Sequence, residues 1–313
     1  MVDSPTNPVP RGAAATPRLT VIIPTSCRSS RRRLLQDAVR SVVDQQGVAF
    51  ELLVVANGPD IDAALLASII GIAEVTVLQL PQGNVSHARL AGVKASSSDY
   101  FCFLDDDDEL LPGALQQRVA YLDEHPEVDF LVTDGIVRSA NRERRALRDG
   151  MAAAIRADPE AAFLVRNWFD SPSPTFRRST IGIEFLSSDL RYYEWTWMLL
   201  ALLGRGRRVA VLEEATFLKR DNLPDSISKS TDFLLALPAF LRAVKHQPLS
   251  AQLRRGIQDK LAAACHDCAD HYLREGKVLD ALRWHVASLR AGGWRYAPFF
   301  GHIFAAALRR TSS

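Results

Sequence analysis

The sequence predicts an α/β fold: an open, mostly parallel sheet with helices on both faces, followed by an α-helical C-terminal appendage. Three observations carry that prediction. From residue 18 onward, short apolar runs rich in Val, Ile and Leu alternate with helical patterns, and parallel strands need crossovers that place helices on the sheet faces. The best of these runs, Tyr100-Phe-Cys-Phe-Leu104, is unbroken, as in a strand buried on both sides. Beyond about Asp225 the pattern is helical to the end.

Each element follows from its residues. Arg18-Leu-Thr-Val-Ile-Ile-Pro24-Thr25 reads as a first strand stopped by proline. After the polar loop Ser26 to Ser30, residues Leu34, Leu35, Ala38, Val39, Val42 and Val43 share one helical face. The arginines that open this helix, Arg31 to Arg33, read as a solvated first turn; phosphate or nucleic-acid contact is the alternative, with no aromatic residue interleaved to favour it. Glu51 to Asn57 and Val75 to Leu80 are the next strands, with a helix from about Ile61 to Ile70 between them. Gly83-Asn-Val-Ser86 opens a helix bearing His87 and Arg89, capped by Asn84 or Ser86. The strand ending in Asp105-Asp-Asp-Asp108 comes next, then a helix over Gly113 to Glu124 with Pro112 at its first position. Val128 to Asp134 is a strand and the charged stretch Arg138 to Asp149 an exposed excursion. Asn167 to Arg178 reads as a loop into a short strand, Asp189 to Trp197 enters an apolar helix ending near Gly204, and Val209 to Leu212 and Thr216 to Asp221 are the last strands. The domain organisation expected is a disordered leader over 1–17, an α/β domain over 18–225 and a helical region over 226–313.

Composition narrows the class. The 313 residues are 47% hydrophobic and 24% charged, ordinary for a globular chain. A formal net charge of +2 gives no bulk electrostatic case for a nucleic-acid partner. No stretch approaches the roughly 18 consecutive apolar residues of a membrane span, and the Pro-, Ala- and Thr-rich N-terminus lacks an apolar signal core. Four cysteines without a secretion signal fit thiols in a reducing cytoplasm.

The chemistry gathers where ligands bind in such sheets, at the carboxyl ends of the strands. That rule places Pro24, Thr25, Asn57, Arg89 and Asp105 to Asp108 along one rim. Four consecutive carboxylates behind a buried strand repel one another and call for a cation; a divalent metal shared with substrate phosphates is the economical candidate, a solvated acidic loop the plain one. An Asn edge, a guanidinium and carboxylates suit a nucleotide-sugar. No Walker loop or Gly-x-Gly-x-x-Gly is present to cradle phosphates.

Five segments in register, Val-Ile-Ile-Pro-Thr at 21–25, Leu-Val-Val-Ala-Asn-Gly at 53–58, Asn-Val-Ser-His-Ala-Arg at 84–89 with Gly92, Asp99-Tyr, and Phe-Leu-Asp-Asp-Asp-Asp at 103–108, resemble the family 2 glycosyltransferases of GT-A fold over the first 225 or so residues. The resemblance implies inverting transfer of a sugar from a nucleoside diphosphate, UDP or dTDP favoured, to an acceptor hydroxyl or amine. It implies that Asp105 and Asp107 form the Asp-x-Asp motif, Asp105 facing the ribose and Asp107 binding Mg²⁺ or Mn²⁺, with Asp106 or Asp108 in support. Pro24, Thr25 and Asn57 then line the base pocket with Arg89 nearby. The chain departs from the family at three points: Ala56-Asn57 stands for an acidic pair, Tyr193-Glu194-Trp195 for the Glu-Asp that supplies the general base, and Asp221 for a metal-side histidine. Glu194 is taken as base and Asp221 as a metal or phosphate group; the other register puts Trp195 at the base position.

Plainer roles stand beside these: Arg89 as ion-pair partner of Asp99 or Asp105, Glu194 as a helix-dipole carboxylate, Asn57 as a turn residue. A nucleotide-sugar-binding scaffold without turnover and a sugar nucleotidyltransferase are the competing functions. The acceptor, whether glycan, lipid-linked or small molecule, is not readable. In the appendage, two helices about Gly276 resemble one tetratricopeptide hairpin, and Cys265, Cys268 and His271 sit at helical spacing without a second ligand pair, so packing is preferred to zinc. The last helix, Trp294 to Arg310, mixes aromatics with arginines and suits packing, peripheral membrane contact or homo-oligomer formation.

Overall fold

The computed structural model describes residues 16–140, 142–186, 190–221 and 230–311. Residues 1–15 of the expected leader and the boundary at 225 lie outside them. Strands β1 (Leu19–Thr25), β2 (Phe50–Asn57), β3 (Val75–Leu80), β4 (Tyr100–Phe103), β5 (Glu109–Leu110), β6 (Phe130–Ser139), β7 (Arg142–Arg145), β8 (Pro174–Arg177) and β9 (Val209–Arg220) form one sheet in the order β3-β2-β1-β4-β8-β6-β9-β5, with β7 paired to β6. Strands β1 to β4, β6 and β9 run one way and β5, β7 and β8 the other. The sheet is therefore mostly parallel, as its unbroken apolar runs require.

Alternation along each strand divides the core into two apolar clusters, one per face. Val21, Ile23, Leu52 and Val54 meet Leu35, Ala38 and Val39 of α1 (Arg32–Val43), Leu65 of α2 (Ala63–Ile70) and Leu115 of α4 (Ala114–Glu124). Ile22, Leu53, Val55, Phe101 and Phe103 meet Ala88 of α3 (Val85–Ala95), Ile155 of α5 (Met151–Ala157), Phe163 of α6 (Pro159–Val165) and Leu199 of α7 (Glu194–Gly204). Gly92 lets α3 lie close on β1: a Cβ there would stand 2.4 Å from Ile22 Cγ2.

Three local expectations are corrected. Helix α4 starts after Gly113, which takes a left-handed φ of 76°, so Pro112 lies outside its first turn. The excursion at 138–149 is structured: β6 runs on to Ser139 and folds back as β7, an edge strand whose arginines face water. The last two strands are one, β9, whose pairing with β6 shifts register near Asp134.

The C-terminal region holds α8 (Thr231–Val244), α9 (Ala251–Arg274), α10 (Val278–Gly292) and α11 (Phe300–Thr311). Gly276, at φ 71°, turns α9 into α10. Phe240, Leu241, Leu253, Ile257 and Leu261 join the same apolar cluster as α7, so this region is built onto the sheet rather than tethered to it. No helix among the described residues is long and apolar enough to cross a membrane.

Candidate active site

The ends of β1, β2 and β4 meet at one rim. Asn57, 8% exposed, turns inward and donates from Nδ2 to the Thr25 carbonyl at 2.9 Å, tying the β2 end to the β1 end. Thr25 Oγ1 donates to Asp106 Oδ2 at 2.5 Å and accepts from the Cys27 N–H at 2.9 Å. Cys27 holds a left-handed φ of 48°, a strained value for a residue with a Cβ, as the chain leaves β1 for α1. The predicted donor residues Thr25, Asn57 and Asp106 are thus brought together by their own hydrogen bonds.

The carboxylates are matched by cations drawn from distant segments. Arg31 bonds Asp106 and lies 3.1 Å from Asp107 Oδ2, so the expected solvated first turn is corrected: the start of α1 abuts the acid cluster, and Arg31 is drawn onto it. Burial alone would lower the Arg31 pKa, and the two aspartates outweigh it and raise it. Arg89, on α3, donates to Asp105 Oδ1 at 2.9 Å and to Glu194 Oε1 at 2.8 Å, with its guanidinium 4.6 Å from the Trp195 ring centre. From β9, Lys219 pairs with Asp170, the Arg220 N–H donates to Asp108 Oδ1 at 3.0 Å, and the Arg220 guanidinium bonds Glu109 and the Asp107 carbonyl.

Even so the cluster is short of positive charge. One oxygen from each of Asp105, Asp107 and Asp108 lies within 4.8 Å of the others. Burial, with Asp105 adding to it, pushes the Asp107 carboxyl above the usual carboxylate range. The same two causes push Asp108 well above it, against the opposing pull of Lys219 and the Arg220 N–H. Three converging hard oxygen donors fit Mg²⁺ or Mn²⁺. Asp106 faces Thr25 and Arg31 instead, and Asp108 is the third member. Asp221 is exposed, its N–H on the Arg138 carbonyl at 2.8 Å, and stands outside this group of three.

Glu194 opens α7 directly after Tyr193, which is held at a left-handed φ of 63°. The Tyr193 hydroxyl bonds the Phe233 carbonyl and its ring stacks on Phe240 at 4.9 Å, so α8 of the appendage fixes the entry to α7. Trp195 packs edge-on to Phe103 and Phe169. Asp170, on the loop after α6, is the other carboxylate here; burial pushes it up, Lys219 outweighs that, and its carboxyl lies below the usual range. Sequence reading missed Arg31, Asp170, Lys219 and Arg220 as site residues. Arg31 had a signal, its place just past the end of β1; the others come from segments whose pairing to the rim only the folded sheet reveals.

The model of the family described as "Glycosyl transferase family 2" matches residues 20–184, more than half of the chain, including the ends of β1, β2 and β4 but not Glu194 or β9. The chain belongs to that family. Among curated relatives, the uncharacterized glycosyltransferase EpsJ of Bacillus subtilis is 22% identical over 226 residues, 68% of this chain and 63% of EpsJ. The GalNAc(5)-diNAcBac-PP-undecaprenol beta-1,3-glucosyltransferase of Campylobacter jejuni is 32% identical over 107 residues, 32% of each chain. The chain therefore spans less than two thirds of the length of these relatives. Among solved structures, S. aureus TarS 1–349 in complex with UDP-GlcNAc superposes with a TM-score of 0.60 at 16% identity, over 92% of this chain and 88% of that one. At that identity the match speaks for the fold, and it extends over the helical appendage as well as the sheet.

Proposed function

We propose that this glycosyltransferase moves a sugar from a UDP- or dTDP-sugar to an acceptor hydroxyl or amine, with inversion and with a divalent cation. The observation that carries the reading is the meeting of Asp105, Asp107 and Asp108 at the end of β4, beside Thr25 and Asn57 and backed by Arg31 and Arg89. The TarS structures with UDP-GlcNAc and with UDP, which share the fold, support a nucleotide-sugar donor. Asp105, Asp107 and Asp108 would hold Mg²⁺ or Mn²⁺, which when bound offsets the charge of the departing diphosphate as a Lewis acid. Pro24 and Thr25 line the base pocket and Asn57 shapes it by fixing the β1 end. Arg31 and Lys219 present cationic groups to the same space.

Glu194 is the proposed general base. Its bond to Arg89 aims the carboxylate from the start of α7, where it can accept the acceptor's proton. That same bond, with Trp195 beside it, is what favours the competing reading, a scaffold that binds donor and does not turn it over. The acceptor class stays open among glycan, lipid-linked and small-molecule hydroxyls or amines. The name of the Campylobacter relative supports a lipid-linked one, and Trp294 and Phe304, 82% and 64% exposed on the appendage, suit peripheral membrane contact or self-association.

Release of UDP or dTDP from their sugars in the presence of Mn²⁺ separates the readings. The native protein is expected to turn over at least one donor, Asp107→Ala to lose on the order of a hundredfold, and Glu194→Gln about a hundredfold while still binding UDP. Native protein that binds UDP and releases none from any donor is the scaffold.

A further inference from the structure

Between residues 138 and 166 the chain carries seven arginines. Three are paired with carboxylates: Arg138 with Glu143, Arg145 with Asp134 and Arg156 with Glu213. Of the other four, Arg142 is exposed at the start of β7, and Arg144, Arg148 and Arg166 have no carboxylate partner among the described residues; Arg144 donates to the Arg145 carbonyl. These three come from β7, the turn before α5 and the end of α6, and α5 and α6 share one apolar cluster through Ala152, Ile155, Ala162 and Phe163. Burial and then the charges of Arg148 and Arg144 hold the Arg166 pKa below its ordinary value. Like charges brought together at a surface without counter-charges are costly, and an anion relieves that cost. The acids that start α6 are engaged elsewhere, Asp158 as its cap and acceptor from Gln252 and Glu160 on Ser250, and the exposed Asp149 pairs with none of the three arginines.

Sheet register ties this cluster to the cleft. Arg144 is the partner of Val137, and Val137 is the partner of Lys219. Residues opposite one another in register project from the same face, so Arg144 leaves the sheet on the side from which Lys219 reaches Asp170. Two strand spacings, about 10 Å, separate them. Arg166 reaches the same place along the chain, since the loop after it runs through Asn167, bonded to Thr196 of α7 at 3.1 Å, to Asp170. The acid cluster meets β9 from its other edge, where Glu109 of β5 is the partner of Leu218.

We propose that Arg144, Arg148 and Arg166 form a phosphate-binding subsite beside the Lys219–Asp170 pair, selecting an acceptor that carries a phosphate ester. This rests on the sugar-transfer reading. The shared chemistry is a phosphate mono- or diester, whether on a soluble molecule or on a lipid headgroup.

Two probes distinguish the sources. Glycerol 3-phosphate is followed by phosphorus NMR line broadening with UDP and Mg²⁺ at saturation. Phosphatidylcholine vesicles with and without phosphatidic acid are followed by co-sedimentation. The native chain is expected to bind at least one probe, and the one it binds names the source. Arg144→Gln/Arg166→Gln should weaken that binding about tenfold, Arg144→Lys/Arg166→Lys should keep most of it at low salt, and Arg283→Gln on α10 should leave it unchanged. All variants should keep the native melting temperature. Failure of the native chain to bind either probe, or equal binding by the glutamine double variant, overturns the subsite. The UDP resonances in the same spectra report the donor site separately: UDP that fails to bind undercuts the sugar-transfer reading, whereas UDP bound without any effect of the arginines removes the subsite alone.

Discussion

Along β1 to β4 the rim's acids meet cations brought from elsewhere, Arg31 on Asp106 and Asp107 and Arg89 on Asp105 and Glu194, while Asp108 is met by the Arg220 N–H. Around β6 and β7 the imbalance is reversed: Arg138 and Arg145 are paired, but Arg144, Arg148 and Arg166 have no carboxylate partner among the described residues. The first region is cross-tied by hydrogen bonds between strand ends and its strands are buried on both faces. The second is an antiparallel edge open to water. A site tied up in this way is organised before its ligand arrives, which suits a donor whose diphosphate is the same for every sugar.

Lesions in the two regions should therefore behave differently. The largest effect is expected from Arg89→Ala, which leaves Asp105 and Glu194 without their shared cation and empties the space against Trp195. Loss of one partner from a buried pair predicts about 3 kcal/mol of unfolding free energy, read by urea denaturation, together with loss of donor turnover. Arg89→Lys should not restore either, because one ammonium cannot span both carboxylates. Gly92→Ala comes next: its Cβ would meet Ile22 Cγ2 at 2.4 Å, so helix α3 must move off β1. About 1–3 kcal/mol is expected by the same denaturation, with weaker UDP binding because Arg89 rides on that helix.

In the appendage, Ser250→Ala removes the cap whose Oγ accepts the Leu253 N–H at 3.1 Å. It should cost about 1 kcal/mol and leave UDP affinity untouched; a parallel loss of UDP affinity would mean the two regions are not separable. The smallest effect is a pH dependence. His285 on α10 is fully buried, and burial first and His266 second hold its pKa below the ordinary value. The fold thus keeps His285 neutral while the unfolded chain protonates it, so its contribution is present above about pH 6.5 and lost as pH falls through the folded value. The melting temperature of native protein should drop more between pH 8 and pH 5 than that of His285→Phe.

Much of the donor side was legible because its residues lie at strand ends. Thr25, Asn57 and Asp105 follow apolar runs whose length marks where each strand stops, and Arg89 faces the sheet from a capped helix; the rim rule then gathers them. What stayed hidden depends on long-range register. Lys219 and Arg220 enter the site because β9 runs unbroken past Ala215 with a shifted pairing to β6, a break that no residue pattern announces. Asp170 depends on the partner that Lys219 becomes. Arg31 was masked by its neighbours: Arg32 pairs with Asp62, while Arg33, 94% exposed, is the solvated residue the pattern describes. The charge of Arg138 to Asp149 marked an exposed segment and concealed a hairpin, since edge strands and loops share a polar composition.

The measurement that bears most directly on the central claim, that the acid cluster closing β4 grips a cation which in turn holds a nucleoside diphosphate, is calorimetric titration of UDP with and without Mn²⁺. UDP should bind far more tightly with Mn²⁺ than without it, and Asp107→Ala should abolish that difference while keeping the native fold. Equal UDP affinity with and without the metal, or a metal effect that survives Asp107→Ala, would contradict the account.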